Sequence, residues 1–344
     1  MKILLTGHDG FIGSILRIRL VDAGHEVVDL DSLYFHPDAG SSRLKPADIR
    51  DIGSGDLDNV NAVIHLAALS NDPIGDLAPE LTDDINHLAS VRLAKLARDA
   101  GVSRFLYSSS CSMYGVSGDE FVTEEAPLSP ITPYAISKAR VEEDVLKLAD
   151  DNFTPIFLRN ATAYGMSPRM RTDLVLNNLV CWAYTTGKVR IMSDGTPWRP
   201  VVHAEDIARA FEAMLDAPRK VVHNQAFNVG VTSENYRVRD LAEIVGQTVP
   251  GCTVEFAGTA SPDQRSYRVD FGKIIRLLPE FKPCWTAAEG AAEVYHGIKA
   301  AGITFELFQG RNYVRLEQIK HLVSDGRLDE SLRWTSDSRV GVGL

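Results

Sequence analysis

Apolar residues fall in short compact runs through the first half of the chain, with longer stretches between them in which apolar positions recur at helical spacing. Residues 3–5, 27–30, 62–66, 105–108 and 155–158 form the compact runs, each of strand length and without polar alternation. Strands covered on both faces read this way, as in a parallel sheet. Residues 12–23, 82–100 and 133–149 place apolar side chains three and four apart, the period of an amphipathic helix. The alternation predicts an α/β fold with a Rossmann-type doubly wound parallel sheet. After about residue 165 the pattern loosens into short strands, loops and helical stretches at 174–186, 204–215 and 238–245. A smaller C-terminal α/β lobe over the carboxyl edge of the sheet is expected there. The division expected is 1–165 for the sheet domain, with later segments returning to it, 166–300 for the smaller lobe, and 301–344 for an extension without an assigned role. Residues 29–58 and 71–79 read as loop-rich, candidates for mobile flaps.

Composition narrows the classes of partner. A chain of 344 residues with 44% hydrophobic and 24% charged residues can bury a large core. Its formal net charge of -10 argues against a broad nucleic-acid or anionic-membrane surface. Cys111, Cys181, Cys252 and Cys284 stand far apart with no CxxC pair, so neither a metal site nor a disulfide framework is expected. The first residues hold only a short apolar run stopped by Gly7, and no run approaches the roughly 20 apolar residues of a membrane span. The chain reads as cytoplasmic.

The sharpest local signal follows the first strand. Thr6-Gly-His-Asp-Gly-Phe-Ile-Gly13 opens a helix with glycines spaced GxxGxxG. Gly7 permits a tight turn, Gly10 lets backbone approach a pyrophosphate, and Gly13 lets the helix pack closely, while the helix N-terminus supplies N–H groups. Gly7, Asp9, Gly10, Phe11, Ile12 and Gly13 are the candidate phosphate-loop contacts. An acid ends the second strand at the expected distance: Asp31, with Asp29 as its competitor. A carboxylate there accepts bonds from the adenosine ribose and repels a 2'-phosphate, which favours NAD over NADP. Arg43 and Lys45 keep NADP open. Asp48 and Ile49 are candidates for the adenine, and Leu66, Ala67 and Ala68 end a strand with small residues beside the cofactor. His65, on that same apolar strand, reads as a satisfied core histidine.

Tyr134 and Lys138 stand four apart in a segment beginning at Pro133, so a helix there stacks them on one face. A phenol titrates near pH 10, and a neighbouring ammonium is expected to lower that value and make Tyr134 a general acid or base. On spacing alone, a packed tyrosine beside a solvated lysine is the commoner reading. Ser110 closes the fourth strand with its hydroxyl placed to hold a reacting oxygen. Ser108 and Ser109 are expected to satisfy backbone near the cofactor, and Cys111 to pack.

Taken together, the GxxGxxG loop, Asp31, the set Ser110, Tyr134 and Lys138, and the later Gly195-Thr-Pro-Trp-Arg-Pro-Val-Val-His-Ala-Glu-Asp206 resemble the extended short-chain dehydrogenase/reductase family, in its nucleotide-sugar epimerase/dehydratase branch. The resemblance covers roughly residues 1–300. It implies that Tyr134 is the acid/base, that Lys138 tunes it and holds the nicotinamide ribose, and that Ser110 orients a sugar hydroxyl. Family 4,6-dehydratases carry an Asp-Glu pair after the hydroxyl residue; Cys111 and Ser112 stand there instead, which disfavours elimination. The resemblance further implies a homodimer paired through the helices near 82–100 and 133–149.

On the substrate side it makes Arg199 a ligand of the nucleotide diphosphate, with Arg265 a second candidate and Asn178 on the helix lining the pocket. His203 and Asp206 read as structural, Asp206 as a cap for a helix beginning at Ile207. Members commonly read LRYFNxYG after the fifth strand, whereas this chain has Leu158-Arg-Asn-Ala-Thr-Ala-Tyr-Gly165. Thr162 occupies the asparagine's place and Asn160 lies two residues earlier, on the same face of a strand. The expected activity is an NAD-dependent epimerase of a nucleotide-diphosphate sugar, by transient oxidation at C4. The alternatives are a 4-keto-sugar reductase or dehydrogenase on the same residues, and an NAD-sensing protein without turnover.

Overall fold

The computed structural model describes residues 1–36, 46–70, 72–191, 193–256 and 265–335. Arg43 and Lys45 lie outside the described residues, as does Asn71. Six parallel strands build the main sheet: β1 (Lys2–Thr6), β2 (Glu26–Leu30), β3 (Ala62–His65), β4 (Arg104–Ser110), β6 (Thr154–Asn160) and β10 (Gln225–Val229). Their order is β2-β1-β3-β4-β6-β10. The chain steps from β1 to β2 on one side and then returns to place β3 on the other. A crevice opens at the carboxyl ends of strands where the order reverses in this way.

The compact apolar runs are explained by burial on both faces. Ile3 and Leu5 of β1 enter one apolar cluster with Ile64, Leu106, Ile156 and Leu158, while Leu4 enters a second with Val63, Phe105, Tyr107 and Phe157. Alternate residues of each strand thus feed opposite cores, and each fully buried Leu, Ile or Phe side chain contributes roughly 1.5–3 kcal/mol. Helices Gly13–Asp22 and Ala204–Asp216 cover the first face; helices Ala89–Asp99 and Pro133–Val145 cover the second.

Smaller sheets lie beyond the carboxyl edge. β5 (Val116–Val122) pairs with β13 (Ser266–Val269), β8 (Lys188–Ile191) with β12 (Thr253–Phe256), and β9 (Trp198–His203) lies between β7 (Thr162–Tyr164) and β11 (Asn235–Arg237). A third apolar cluster joins this part of the molecule to helices Val175–Thr186, Val238–Thr248 and Ala287–Ala300.

Local structure departs from the sequence pattern in three places. The segment 71–79 is not a bare loop: helices Asp72–Leu77 and Pro79–Thr82 form there. Asp72 is anchored by the Thr132 hydroxyl, and Gly75 lies so near Tyr134 that a β-carbon would stand 3.3 Å from its backbone nitrogen. The helix expected over 82–100 contains a wider π-helical turn at Asp83–Leu88. That turn carries Asn86, whose buried amide accepts from the Leu69 N–H at 2.7 Å and donates to the Leu69 carbonyl at 3.1 Å. Finally, the helix expected over 204–215 does start at Ala204, not at Ile207, and is capped by His203, whose Nδ1 accepts the Glu205 N–H. Asp206 is not a cap. Its carboxylate accepts the N–H groups of Cys284 and Trp285 and pins that loop.

Candidate active site

The glycine loop is shaped by what its side chains lack. Gly7 turns with φ +76°, and a β-carbon on it would lie 2.7 Å from the Ala67 nitrogen. One on Gly13 would lie 1.9 Å from the Gly7 carbonyl oxygen, inside any allowed contact. The Gly10 N–H donates to the Gly7 carbonyl at 3.0 Å, which closes the turn. Backbone of β1, of the loop and of the Leu66–Ala67 step is thereby packed into one floor. Gly7, Gly10, Phe11, Ile12, Gly13, Leu66, Ala67 and Ala68 all line a cleft of about 1130 Å³ at the carboxyl end of the sheet.

Asp31 stands in that cleft at the end of β2. Its carboxylate accepts the N–H groups of Asp9 at 3.0 Å and Leu33 at 2.8 Å, while burial raises its pKa. The competitor Asp29 is instead bound by Arg17 at 2.8 Å, away from the cleft. Asp9 turns its side chain to Arg169 at 2.6 Å and leaves one buried carboxylate oxygen without a partner. Asp48 and Ile49 line the cleft; burial opposes the ionisation of Asp48, but the Arg50 hydrogen bonds outweigh it and lower its pKa.

Opposite this end, β4 runs into a tight turn at Cys111–Tyr114 that holds Ser110 at the cleft. The Ser110 hydroxyl donates to the Ser112 hydroxyl at 2.9 Å and accepts the Ser112 N–H at 3.1 Å. Thr132 caps the next helix by accepting the Ala135 N–H, with Pro133 at its first position, so Tyr134 stands in the first turn and Lys138 one turn on. Lys138 is buried, donates to the Ser108 carbonyl at 2.7 Å, and lies over the Tyr107 ring at 4.6 Å. The Ser108 hydroxyl accepts from the Asn160 amide at 3.0 Å.

The electrostatics correct one expectation. Burial, followed by the Asp72 carboxylate, pushes the Tyr134 phenol up to about 12, although the Ser110 hydrogen bond pulls it down. Burial also pulls the Lys138 ammonium down to about 7, against the attraction of Glu142. The ammonium is 5.7 Å from the Tyr134 ring centre and tied to a carbonyl, so the protein alone does not lower the phenol. The other buried groups behave as fillers. Cys111 donates to the Arg159 carbonyl and burial holds its thiol well up, while His65 is bonded by Thr6 at 2.6 Å and Ser90 at 2.7 Å.

At the far end of the cleft, Asn160 and Thr162 follow one another from β6 into β7, and both line it. Asn160 donates to Ser108 and to the Ser109 carbonyl, and its own carbonyl oxygen is buried without a partner. Asn178 lines the cleft while its amide donates to the Thr172 carbonyl. Arg199 donates to the carbonyls of Trp198 and Arg265, and Arg265 pairs with Asp72 at 2.6 Å. Arg171, held by Asp173 at 2.9 Å, and Arg190 join them in the lining. Sequence reasoning missed Arg171, Arg190 and Asp72. No local motif marks them, because each is brought to the cleft only by the packing of distant elements. Among the described residues no cluster of histidine, cysteine and acidic side chains is arranged to hold a metal.

A glycine cradle with no room for side chains, an acid closing β2 and a Tyr-Lys helix facing a serine define a Rossmann-type dinucleotide enzyme. The model of the NAD dependent epimerase/dehydratase family matches residues 3–230. The chain belongs to that family. It is 27% identical over 331 residues to the UDP-glucose 4-epimerase of Bacillus subtilis, covering 86% of this chain and 94% of that one. It is 31% identical over 266 residues to the UDP-glucose 4-epimerase of Lactobacillus helveticus, covering 71% and 80%. Among solved structures, MoeE5 in complex with UDP-glucuronic acid and NAD superposes with a TM-score of 0.77 at 28% identity, covering 88% of this chain and 100% of that one.

Proposed function

We propose that this protein is an NAD-dependent epimerase that inverts C4 of a uridine-diphosphate hexose by transient oxidation. The single observation that carries the reading is the cleft's chemistry: the Ser110, Tyr134 and Lys138 set lines it, while the position after Ser110 holds a buried thiol whose pKa burial holds well up. Such a thiol is no acid for an elimination at neutral pH. The names of the relatives support the same sugar chemistry.

The glycine cradle fits a dinucleotide diphosphate, and Asp31 the adenosine ribose. Bound NAD would supply the hydride acceptor at the carbinol carbon and the donor for its return. Tyr134, as the phenolate, takes the proton of the sugar hydroxyl at its phenolic oxygen and, as the phenol, gives it back in the return step. Ser110 orients that hydroxyl, and the unpartnered Asn160 oxygen accepts a further sugar hydroxyl. Lys138, fixed by the Ser108 carbonyl, contributes positive charge that favours that phenolate. Arg199 and Arg265, with Arg171 and Arg190, offer charge to the nucleotide diphosphate, a role suited to planar guanidinium forks. On this reading residues 1–165 hold the cofactor and residues 166–300 the sugar nucleotide. A cytoplasmic homodimer belongs to the same proposal. No described helix is long and apolar enough to cross a membrane, and Leu88 and Leu146 are exposed beside the two helices expected to pair.

The test is to incubate the purified protein with UDP-glucose and no added dinucleotide, and to follow UDP-galactose. Inversion without net reduction of NAD is expected. No inversion, with turnover only when a 4-keto sugar and a reduced dinucleotide are both supplied, sinks the epimerase reading.

A further inference from the structure

The extension after residue 300 folds back on the cofactor end of the cleft. Helix Arg315–Ser324 and the residues after it grip the segment that follows Asp31. Gln318 donates to the Tyr34 carbonyl at 2.9 Å, Tyr34 donates its hydroxyl to the Leu332 carbonyl, and Trp334 donates to the Ser32 carbonyl at 2.7 Å. Arg50 reaches the Ser331 carbonyl at 2.9 Å.

At the head of that helix stands Arg315, which is 4% exposed and lines the cleft. Its guanidinium lies 4.0 Å from the Phe35 ring centre and, among the described residues, makes one long hydrogen bond, to the Arg169 carbonyl at 3.3 Å. Among the described residues it has no carboxylate partner. The acids near enough to act on it are engaged elsewhere: Asp173 with Arg171, Asp9 with Arg169, and Asp31 with two backbone N–H groups. Burial and the repulsion of Arg171 pull its pKa down to about 9. A buried cation that no carboxylate bonds directly is costly, so its retention calls for an anion that arrives from outside the chain.

The neighbours identify that anion. Arg315 interacts with Asp31 and Asp9 at the adenosine end, and with Arg171, which itself acts on Tyr134 at the other end. The part of a dinucleotide that joins those two ends is its diphosphate. We propose that Arg315 is a ligand of the cofactor diphosphate, which makes the C-terminal extension a working part of the cofactor site. The proposal rests on the reading of the cleft as an NAD site. It adds a side-chain cation, from an element outside the 3–230 family match, to the backbone cradle of residues 7–13.

Binding of NAD, ADP-ribose and adenosine to the dinucleotide-free protein, measured by calorimetry, tests it. Arg315→Gln is expected to weaken NAD and ADP-ribose by about 10- to 100-fold and adenosine by less than about threefold, with Arg315→Lys recovering part of the loss. The melting temperature of ligand-free Arg315→Gln should match or exceed that of the wild type, because a buried charge with no directly bonded carboxylate is gone. An equal loss for adenosine, an unchanged affinity for NAD, or a marked fall in ligand-free melting temperature overturns the proposal in favour of a packing role. A wild-type protein that binds none of the three ligands removes the cofactor reading itself, and this proposal with it.

Discussion

The two ends of the cleft are built from different materials. At the end proposed for the cofactor, residues 7–13 and 66–68 present backbone, and the shape depends on β-carbons that are not there. At the end proposed for the substrate, Asn160, Arg171, Arg190, Arg199 and Arg265 present side chains, gathered from a span of about a hundred residues. A backbone cradle tolerates almost no change because its walls cannot move aside. A set of guanidinium groups shares one charge requirement and degrades by degrees.

Tyr134 stands where the two ends meet, and its loss should cause the largest effect. Tyr134→Phe is expected to lower kcat by about a thousandfold, within the range of general acid/base catalysis, while bound dinucleotide stays at the wild-type level. Loss of both together would mean that the phenol builds the cofactor end and does no proton chemistry. Gly13→Ala comes next and separates the ends. The added β-carbon would meet the Gly7 carbonyl at 1.9 Å, a backbone atom, so dinucleotide affinity should fall by more than about a hundredfold while affinity for UDP changes by less than about threefold. Equal losses of NAD and UDP would erase the distinction between the ends. Arg265→Ala should act the other way and more gently: about a tenfold rise in KM for the sugar nucleotide, with NAD affinity unchanged. A change confined to kcat would instead tie Arg265 to Tyr134 through Asp72, which pairs with the one and raises the pKa of the other.

The same contrast explains what the sequence made legible. The cradle could be read because its requirement is local: three glycines at fixed spacing, a strand before them and a helix after. The sheet could be read because strands buried on both faces leave unbroken apolar runs. Helix 133–145 announced itself through Pro133 and the spacing of Tyr134 and Lys138. Arg171 and Arg190 gave no such sign, since a lone arginine in a loop or an edge strand looks the same whether it faces solvent or a cleft. The helix at 72–77 was hidden for a related reason: its sequence carries Pro73 and Gly75, and tertiary contacts with Thr132 and Tyr134 hold it. The expected lowering of the phenol failed on burial, a quantity that residue spacing does not contain.

Beneath both ends lies His65, and it carries the smallest effect expected at neutral pH. Its ring is enclosed between Thr6 of β1 and Ser90, so burial, aided by the Lys138 charge, pulls its pKa down to about 3 from the usual 6.5. Between those two values the unfolded chain binds a proton that the folded chain refuses, so stability must fall as pH drops from about 6.5 toward 3. One such group tilts the unfolding free energy by at most about 1.4 kcal/mol per pH unit. Urea midpoints of the wild type should therefore fall from pH 6.5 to pH 4, and those of His65→Gln should fall less steeply, whatever the variant's stability at pH 7. The slope, and not the level, isolates the histidine, because a change in packing shifts the whole curve without tilting it. If the two slopes coincide, the imidazole takes its proton within the folded protein, and the hydroxyl pair around it is a weaker enclosure than its distances imply.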